Sequence, residues 1–236
     1  MFVTVDSLAT QYGVHDDIGQ FFVDRKVPEN NLYWHKKLLF VTNNPGYLFI
    51  PVIVDTLNRL KIPRATMLNE EYASLLEQIG HIASLEEIKK ITQEEAVEQC
   101  IQLTKHKVKH EFFYNTLINF MQGETENFIT PLCMPFSALH RGDIFLFSLA
   151  VLDFDNETAI KIVQDWFAII GAFLLLDDSE DIQQDKELEG NNAFIQAGLN
   201  QEGLDKIKLF VTEIITQLKT FNKTLARTTE QMLLPM

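Results

Sequence analysis

Cysteine, glycine and proline are all scarce in this chain of 236 residues. The two cysteines, Cys100 and Cys133, form neither a disulfide framework nor a metal-binding motif, so we expect a reduced, cytoplasmic protein. The 10 glycines and 7 prolines include no glycine-rich phosphate loop and no clear linker. Leucine, isoleucine, glutamine, glutamate and lysine are plentiful, and this composition favours helices.

Positive charge is also in short supply. The 20 Lys and Arg are outnumbered by 33 Asp and Glu, which gives a net charge of −13. This balance leaves no electrostatic footprint for nucleic acid and predicts repulsion from anionic membranes, although a local basic cluster could still bind phosphate groups. The N-terminus lacks the basic region of a signal peptide. The longest apolar run, residues 166–176, is too short to span a bilayer and predicts a buried core helix.

Apolar residues recur at helical spacing along most of the chain, and no pair of segments has hairpin chemistry. Thr92 with Glu95, and Ser84 with Glu87, form predicted capping boxes, and Asp155 is a predicted N-cap. We therefore predict an all-α protein with one helical domain over residues 1–236. The predicted helices cover residues 15–25, 30–42, 47–60, 69–79, a helix after Ser84, 93–122, 143–152, the region after Asp155, and the region from Gln201 onward.

The most distinctive stretch is residues 166–185, where an apolar helix runs directly into acidic residues. Asp177, Asp181 and Asp185 are spaced at i, i+4 and i+8, so their carboxylates share one helix face and continue its apolar stripe. Buried carboxylates need cations or a wet cleft, and oxygen donors at this spacing suit a hard ion such as Mg²⁺. Alternatively, the helix emerges into solvent at Asp177 and its acids form a solvated end.

The stretch IGAFLLLDDSEDIQQDKELEG resembles the second aspartate-rich motif of trans-prenyltransferases and other class I isoprenoid synthases. Gly171 and Phe173 fall in register with that motif, followed by its acids, whereas Leu174 stands where the family usually has glutamine. Upstream, residues 123–127 are similar to the family's G-E-x-x-Q, with Asn127 in place of the glutamine. The resemblance covers roughly residues 95–225.

The resemblance implies a single helical bundle of the isoprenoid-synthase type, in which two acidic clusters hold Mg²⁺ and the diphosphate of an allylic isoprenoid. It implies metal binding by Asp177, Asp178, Asp181 and Asp185, with Asp178 orienting the other three. It implies substrate binding by Asp55, Asn58, Arg59, Glu124, Asn127, Phe173 and Lys186.

The first aspartate motif of the family is reduced in this chain. By analogy it falls at residues 54–58, where only Asp55 survives, with Asn58 in the last position. The leading hypothesis is Mg²⁺-dependent binding, and possible conversion, of an isoprenoid diphosphate. The alternatives are a catalytically degenerate accessory or binding subunit in a homodimer or heteromer, and an unrelated helical interaction protein. The residues that lie opposite Asp177 and Asp181 distinguish these hypotheses.

Overall fold

The computed structural model of the chain describes residues 3–26, 30–32, 46–188 and 190–235, and all regular structure in these ranges is helical. This confirms the predicted all-α bundle. The predicted helix at 30–42 lies mostly outside the described residues. The α-helices are α1 (Val5–Tyr12), α2 (Asp16–Asp24), α3 (Phe49–Arg59), α4 (Arg64–Met67), α5 (Glu70–Glu87), α6 (Gln93–Thr104), α7 (Glu111–Met121), α8 (Asn156–Leu188), α9 (Ala193–Ala197), α10 (Gln201–Phe221) and α11 (Lys223–Leu233), with 3₁₀ segments at Gly46–Leu48, Thr130–Leu132 and Ser137–Val151.

Helix α8 is the longest helix of the described bundle, with 33 residues and a length of about 50 Å. Asp155 caps it as predicted, because its Oδ1 accepts a hydrogen bond of 2.8 Å from the Thr158 amide. The apolar half of α8 is buried against α3, α10 and the Ser137–Val151 segment. By length and composition α8 could cross a membrane, but 83% of its most apolar window is buried inside the bundle. That the chain does not span a membrane therefore stays a prediction.

The Ser137–Val151 segment lies at the centre of the bundle, in contact with α5 to α9. It winds as a 3₁₀ helix for 15 residues, a length that is uncommon for this conformation. Every residue from Gly142 to Val151 is buried. Gly142 permits close approach to α8, since a Cβ atom there would lie 2.6 Å from Ile170 Cδ1. The predicted apolar helix at 143–152 is thus present, but it begins earlier and is wound more tightly.

Two predicted helix boundaries are wrong. Helix α5 continues through Gly80 to Glu87, and the Ser84 hydroxyl donates to the Gly80 carbonyl instead of capping a new helix. The predicted helix 93–122 is split into α6 and α7. The split occurs because the Lys109 and His110 amides both donate to the Ala150 carbonyl, a tertiary contact that replaces helical bonds.

Other local predictions are confirmed. The capping box of α6 has both of its bonds, from the Thr92 amide to Glu95 (2.8 Å) and from the Glu95 amide to Thr92 (3.2 Å). Helix α10 begins at Gln201 as expected. The chain turns at Asn222, which caps α11, so the apolar repeat from 204 to 225 is shared between two helices.

Candidate functional site

The aspartates of α8 lie inside the helix, which continues past them to Leu188. Asp178 is the most buried of them, with 1% of its surface exposed, whereas Asp177, Asp181 and Asp185 are half-buried. The acids therefore do not form the solvated helix end of the alternative interpretation. The deepest of the four is Asp178, to which the resemblance assigns an orienting role.

Asp178 ties three parts of the chain together. Its Oδ1 accepts a hydrogen bond of 2.7 Å from Arg141 Nη2, and its Oδ2 accepts one of 2.7 Å from the Ala193 amide. Its main-chain carbonyl accepts a third bond, from Asn192 Nδ2. Burial raises the pKa of Asp178 to about 6, although Arg141 and the Ala193 amide favour the charged form. Because both of its carboxylate oxygens are engaged, Asp178 positions the chain around the site.

The other three acids are more open to a ligand. Asp177 Oδ2 lies 3.4 Å from Arg141 Nη2, and Asp185 accepts a bond of 2.9 Å from Asn192. Asp181 makes no hydrogen bond or ion pair with the described residues. Burial raises the pKa of Asp177 to about 6; Arg141 opposes this shift, and the neighbouring aspartates add to it.

Arg141 is the cation at the centre of this site, and sequence reasoning did not identify it. The Ser137–Val151 segment places its guanidinium beside α8, where the side chain is 13% exposed. Nη1 donates to the Asn191 carbonyl at 3.3 Å, and Nη2 contacts Asp177 and Asp178. Nε is buried without an acceptor. The signal in the sequence was an arginine followed by glycine, just before a mainly apolar run.

A second pair of acids, Glu86 and Glu87, lies at the C-terminal end of α5, and Glu87 interacts electrostatically with acids of α8. The pKa of Glu87 is raised by burial, lowered by Arg141, and raised again by Asp177 and Asp185. The pKa of Glu86 is raised to about 7 by burial and by Glu87 and other nearby carboxylates. The wrong assignment of Glu87 to a capping box hid this pair. We refer to Glu86, Glu87, Asp177, Asp178, Asp181 and Asp185 as the acid cluster.

A pair formed by half-buried His140 and buried Asp143 adjoins the acid cluster. His140 Nδ1 lies 2.6 Å from Asp143 Oδ2, and His140 Nε2 lies 3.0 Å from the Met134 carbonyl. Both ring nitrogens therefore face acceptors, an arrangement that requires the doubly protonated imidazolium. Burial alone would lower the pKa of His140, but the Asp143 carboxylate raises it. Asp143 in turn adds to the negative potential at Glu86.

The residues expected to form the first aspartate motif belong to a separate network. Asp55 is fully buried; its Oδ1 faces the His15 amide (3.0 Å) and ring Nδ1 (2.5 Å), and its Oδ2 accepts from Arg59 Nε at 2.6 Å. Arg59 also donates to the Phe221 and Gly13 carbonyls. Asn58 accepts from Arg64 Nε. This network therefore joins α1, α2, α3 and α10.

The separate network and the acid cluster lie at different levels of α8. The Lys161 ammonium lies 5.6 Å from the Phe221 ring, and the Phe221 carbonyl accepts a hydrogen bond from Arg59. The N-terminal part of α8 is therefore the part that lies near Arg59. Asp177 follows Lys161 by 16 residues, or about 24 Å along the helix. The structure therefore does not bring Asp55, Asn58 and Arg59 together with the acid cluster. The acid whose pKa responds to Asp177 and Asp185 is instead Glu87 of α5.

The remaining predicted residues have varied settings. Residues 123–127 form a turn after α7, and Glu124 is exposed there. Asn127 Oδ1 accepts hydrogen bonds of 2.9 Å from the Ile129 and Thr130 amides. Lys186 is exposed on the last turn of α8. Phe173 is a core residue, 1% exposed, whose ring packs against Tyr12 and Phe49.

The donor atoms of the acid cluster suit Mg²⁺ in their type but not in their number. Within the described ranges, no three His, Cys, Asp or Glu side chains converge closely enough to hold an ion by themselves. The chemistry of the site still fits, because carboxylate oxygen is the ligand type that Mg²⁺ prefers. Mg²⁺ commonly takes only one or two carboxylates and completes its shell with water and phosphate oxygens. The residues therefore fit an ion that arrives with a phosphate group, and they do not form a preassembled metal cage.

Comparison of the chain with known protein families, with curated protein sequences and with solved structures finds no match.

Proposed function

We propose that the acid cluster binds Mg²⁺ together with the diphosphate group of a small molecule, and that this molecule is an isoprenoid diphosphate, as the sequence resemblance implies. The observations that carry the proposal are the contacts of Arg141 with Asp177 and Asp178 on α8, and the electrostatic influence of Arg141, Asp177 and Asp185 on Glu87 of α5. The diphosphate head group is argued from these residues, and the isoprenoid body rests on the sequence motif alone.

Electrostatic repulsion in the acid cluster supports cation binding. The pKa values of Glu86, Asp177 and Asp178 are raised to about 7, 6 and 6, and nearby carboxylates add to the effect of burial. At pH 7.5 most of these groups are ionised and repel one another, and Arg141 is the one cation of the described residues that bonds to them directly. A divalent ion would relieve this repulsion and displace the protons that remain.

Arg141 supplies what an all-acid site lacks, namely affinity for an anion. Its buried Nε–H has no acceptor, and a planar guanidinium suits phosphate oxygens. In this assignment one or two of Asp177, Asp181 and Glu87 ligate the ion directly and the others act through its water ligands. Arg141 binds a phosphate oxygen, and Asp178 orients Arg141. When bound, Mg²⁺ would neutralise charge on the diphosphate.

One observation favours the noncatalytic alternative, in which the chain is an accessory or binding subunit. The aromatic residues that would line an isoprenoid pocket pack on one another, with centroid separations of 5.0 Å for Phe49 and Phe145 and 5.1 Å for Phe49 and Trp166. All three side chains are almost fully buried. This cluster is packed core, so the structure supports head-group binding more directly than conversion of the hydrocarbon.

The test is a thermal-shift and calorimetric titration with Mg²⁺ alone, inorganic diphosphate alone, both together, and Mg²⁺ with a C15 allylic diphosphate. We expect stabilisation only when both components are present, because neither completes the site alone. A ligand at a hundredfold its Kd contributes about 2.7 kcal/mol, or roughly 5–10 °C in Tm for a chain of this size. Release of diphosphate from the C15 compound would distinguish conversion from binding.

Matched variants make the test specific. Asp181→Asn and Glu87→Gln should abolish the shift, since each removes a carboxylate of the acid cluster. Glu180→Gln is the control, because Glu180 is an exposed neighbour on the same helix and carries the same charge. Absence of any shift, or an equal shift in Asp181→Asn and Glu180→Gln, would contradict the proposal.

A further inference from the structure

A separate cavity lies between the N-terminal end of α5 and the loop that joins α6 to α7. Its volume is about 380 Å³, within the range of small-molecule sites. The floor is mainly apolar and the rim is basic. The floor is formed by Tyr72, Leu75, Val108, Val151 and Leu152, and the rim by His106, Lys107 and Lys109, with Thr66, Asn69 and Glu71 alongside.

The rim concentrates positive charge in an otherwise acidic protein. Five of the six residues at positions 105–110 are lysine or histidine, although the net charge of the chain is −13. Glu71 is the acid that lines the cavity, and it pairs with Lys107 at 3.0 Å. That pair is weakened by solvent, since the two side chains are 43% and 73% exposed. Lys109 and His106 make no ion pair or side-chain hydrogen bond within the described structure.

The loop that carries these basic residues is held in place. The Lys109 amide donates to the Ala150 carbonyl at 2.9 Å, and the Lys107 amide donates to Thr104 at 2.8 Å. His110 caps α7 by accepting from the Phe113 amide at 3.1 Å. A ligand would therefore order only the lysine side chains and not the backbone, which lowers the entropic cost of binding.

We propose that this cavity binds a small amphiphilic anion, namely a molecule with one carboxylate or phosphate group and a short apolar body. Lys107, Lys109 and His106 would bind the anionic group, and Leu75, Val151 and neighbouring side chains would contact the apolar body. The site is independent of the acid cluster, because Glu71 and Glu87 lie 16 residues apart on α5, about 24 Å along the helix.

The experiment uses the full chain in EDTA, so that Mg²⁺ plays no part. The probes are 4-fluorophenyl phosphate, 4-fluorobenzoate and inorganic phosphate. Binding of the two aryl probes is measured by ¹⁹F line broadening, and binding of all three by amide chemical-shift mapping. We expect shifts at residues 66–75 and 106–109 and none at 177–185. Binding of both aryl probes would assign general anion recognition. Preference for one of them would identify the head group as phosphate or carboxylate.

Charge variants test the assigned residues. An exposed charge pair changes affinity by about two- to fivefold, so Lys107→Gln with Lys109→Gln should weaken binding by about fivefold or more. Glu71→Gln should tighten binding by about two- to fivefold, because it frees Lys107. Lys105→Gln is the control; Lys105 belongs to the same loop but contacts Gln102 and does not line the cavity.

Three results would overturn the proposal. These are absence of binding at millimolar probe, loss of affinity in Lys105→Gln equal to that of the double variant, and inorganic phosphate binding as tightly as the aryl phosphate. The second would indicate a diffuse charge effect, and the third would show that the apolar floor plays no part. Circular dichroism and Tm of each variant establish that its fold is intact.

Discussion

Replacing Arg141 with methionine tests how the acid cluster is held together. Arg141 is 13% exposed and Asp178 is fully buried, so the substitution leaves a buried carboxylate without its cation. Removing one partner of a buried pair costs about 3–5 kcal/mol, and we expect about 3 kcal/mol at pH 8 because Asp178 keeps its bond to the Ala193 amide. For a chain of this length the loss corresponds to a fall of roughly 6–12 °C in Tm.

The loss should depend on pH, and its sign follows from the pKa of Asp178. This pKa is about 6 in the fold, above its usual value of 3.8, and Arg141 lowers it, so it rises further in the variant. An acid with a raised pKa destabilises the fold increasingly as pH rises from its unfolded to its folded pKa. At pH 5, below the folded pKa in both the wild type and the variant, the Asp178 carboxyl of the folded state is largely protonated with or without Arg141, so we expect the loss to shrink to about 1 kcal/mol.

Urea denaturation at pH 5 and pH 8 measures both values. Arg227→Met is the control, because Arg227 is exposed on α11 and forms no ion pair with the described residues. Asp178→Asn keeps an oxygen for the Ala193 amide but removes the charge, so the double variant with Arg141→Met should recover at least about 1.5 kcal/mol relative to additivity. A loss below about 1 kcal/mol at pH 8, or an equal loss at both pH values, would refute the assigned electrostatics.

Two further predictions concern the opposing acids and the separate network. Glu86→Gln should stabilise the fold by about 1–2 kcal/mol at pH 8 and by nothing at pH 4.5. The pKa of Glu86 is raised to about 7, so the cost of burying its charge is complete only above that pH. Urea denaturation of this variant and of the control Glu180→Gln measures the effect, and equal effects of the two variants would contradict the prediction. Asp55→Asn should lower the free energy of unfolding by about 2–4 kcal/mol, because it weakens the bonds to His15 and Arg59. The affinity for Mg²⁺ with diphosphate, measured by calorimetry, should stay within twofold. Loss of that affinity in the folded variant would show that Asp55 belongs to the binding site.

The sequence predicted helix ends correctly where a side chain caps the helix through a bond to a nearby residue in the same segment. The Thr92–Glu95 capping box and the Asp155 cap are examples, because each side chain bonds to an amide three residues away. The signals failed where tertiary contacts decide. Gly80 predicted the end of a helix, yet α5 passes through it, since buried neighbours outweigh the cost of about 1 kcal/mol for a helical glycine.

The burial of Asp178 illustrates a second limit. Helical periodicity traced the apolar stripe to Asp177, which does lie half-buried beside Arg141. The deepest position is Asp178 because the chain turns back after α8 and places Asn192 and Ala193 over it. A residue's helical face is predictable from its own segment, but the element that covers that face is not.

The acid cluster itself joins residues that are far apart in the chain, so motif spacing could not identify it. Its position along the chain predicted that Asp55 opposes Asp177, whereas the acid that Asp177 influences electrostatically is Glu87, which α5 carries because it continues past Gly80. The arrangement is electrostatically unfavourable, since several carboxylates share one directly bonded cation, Arg141. Elsewhere in the described bundle most buried charges are compensated, as at Asp55 with Arg59. We propose a binding site at the acid cluster for this reason, because a ligand would remove the repulsion that folding leaves in place.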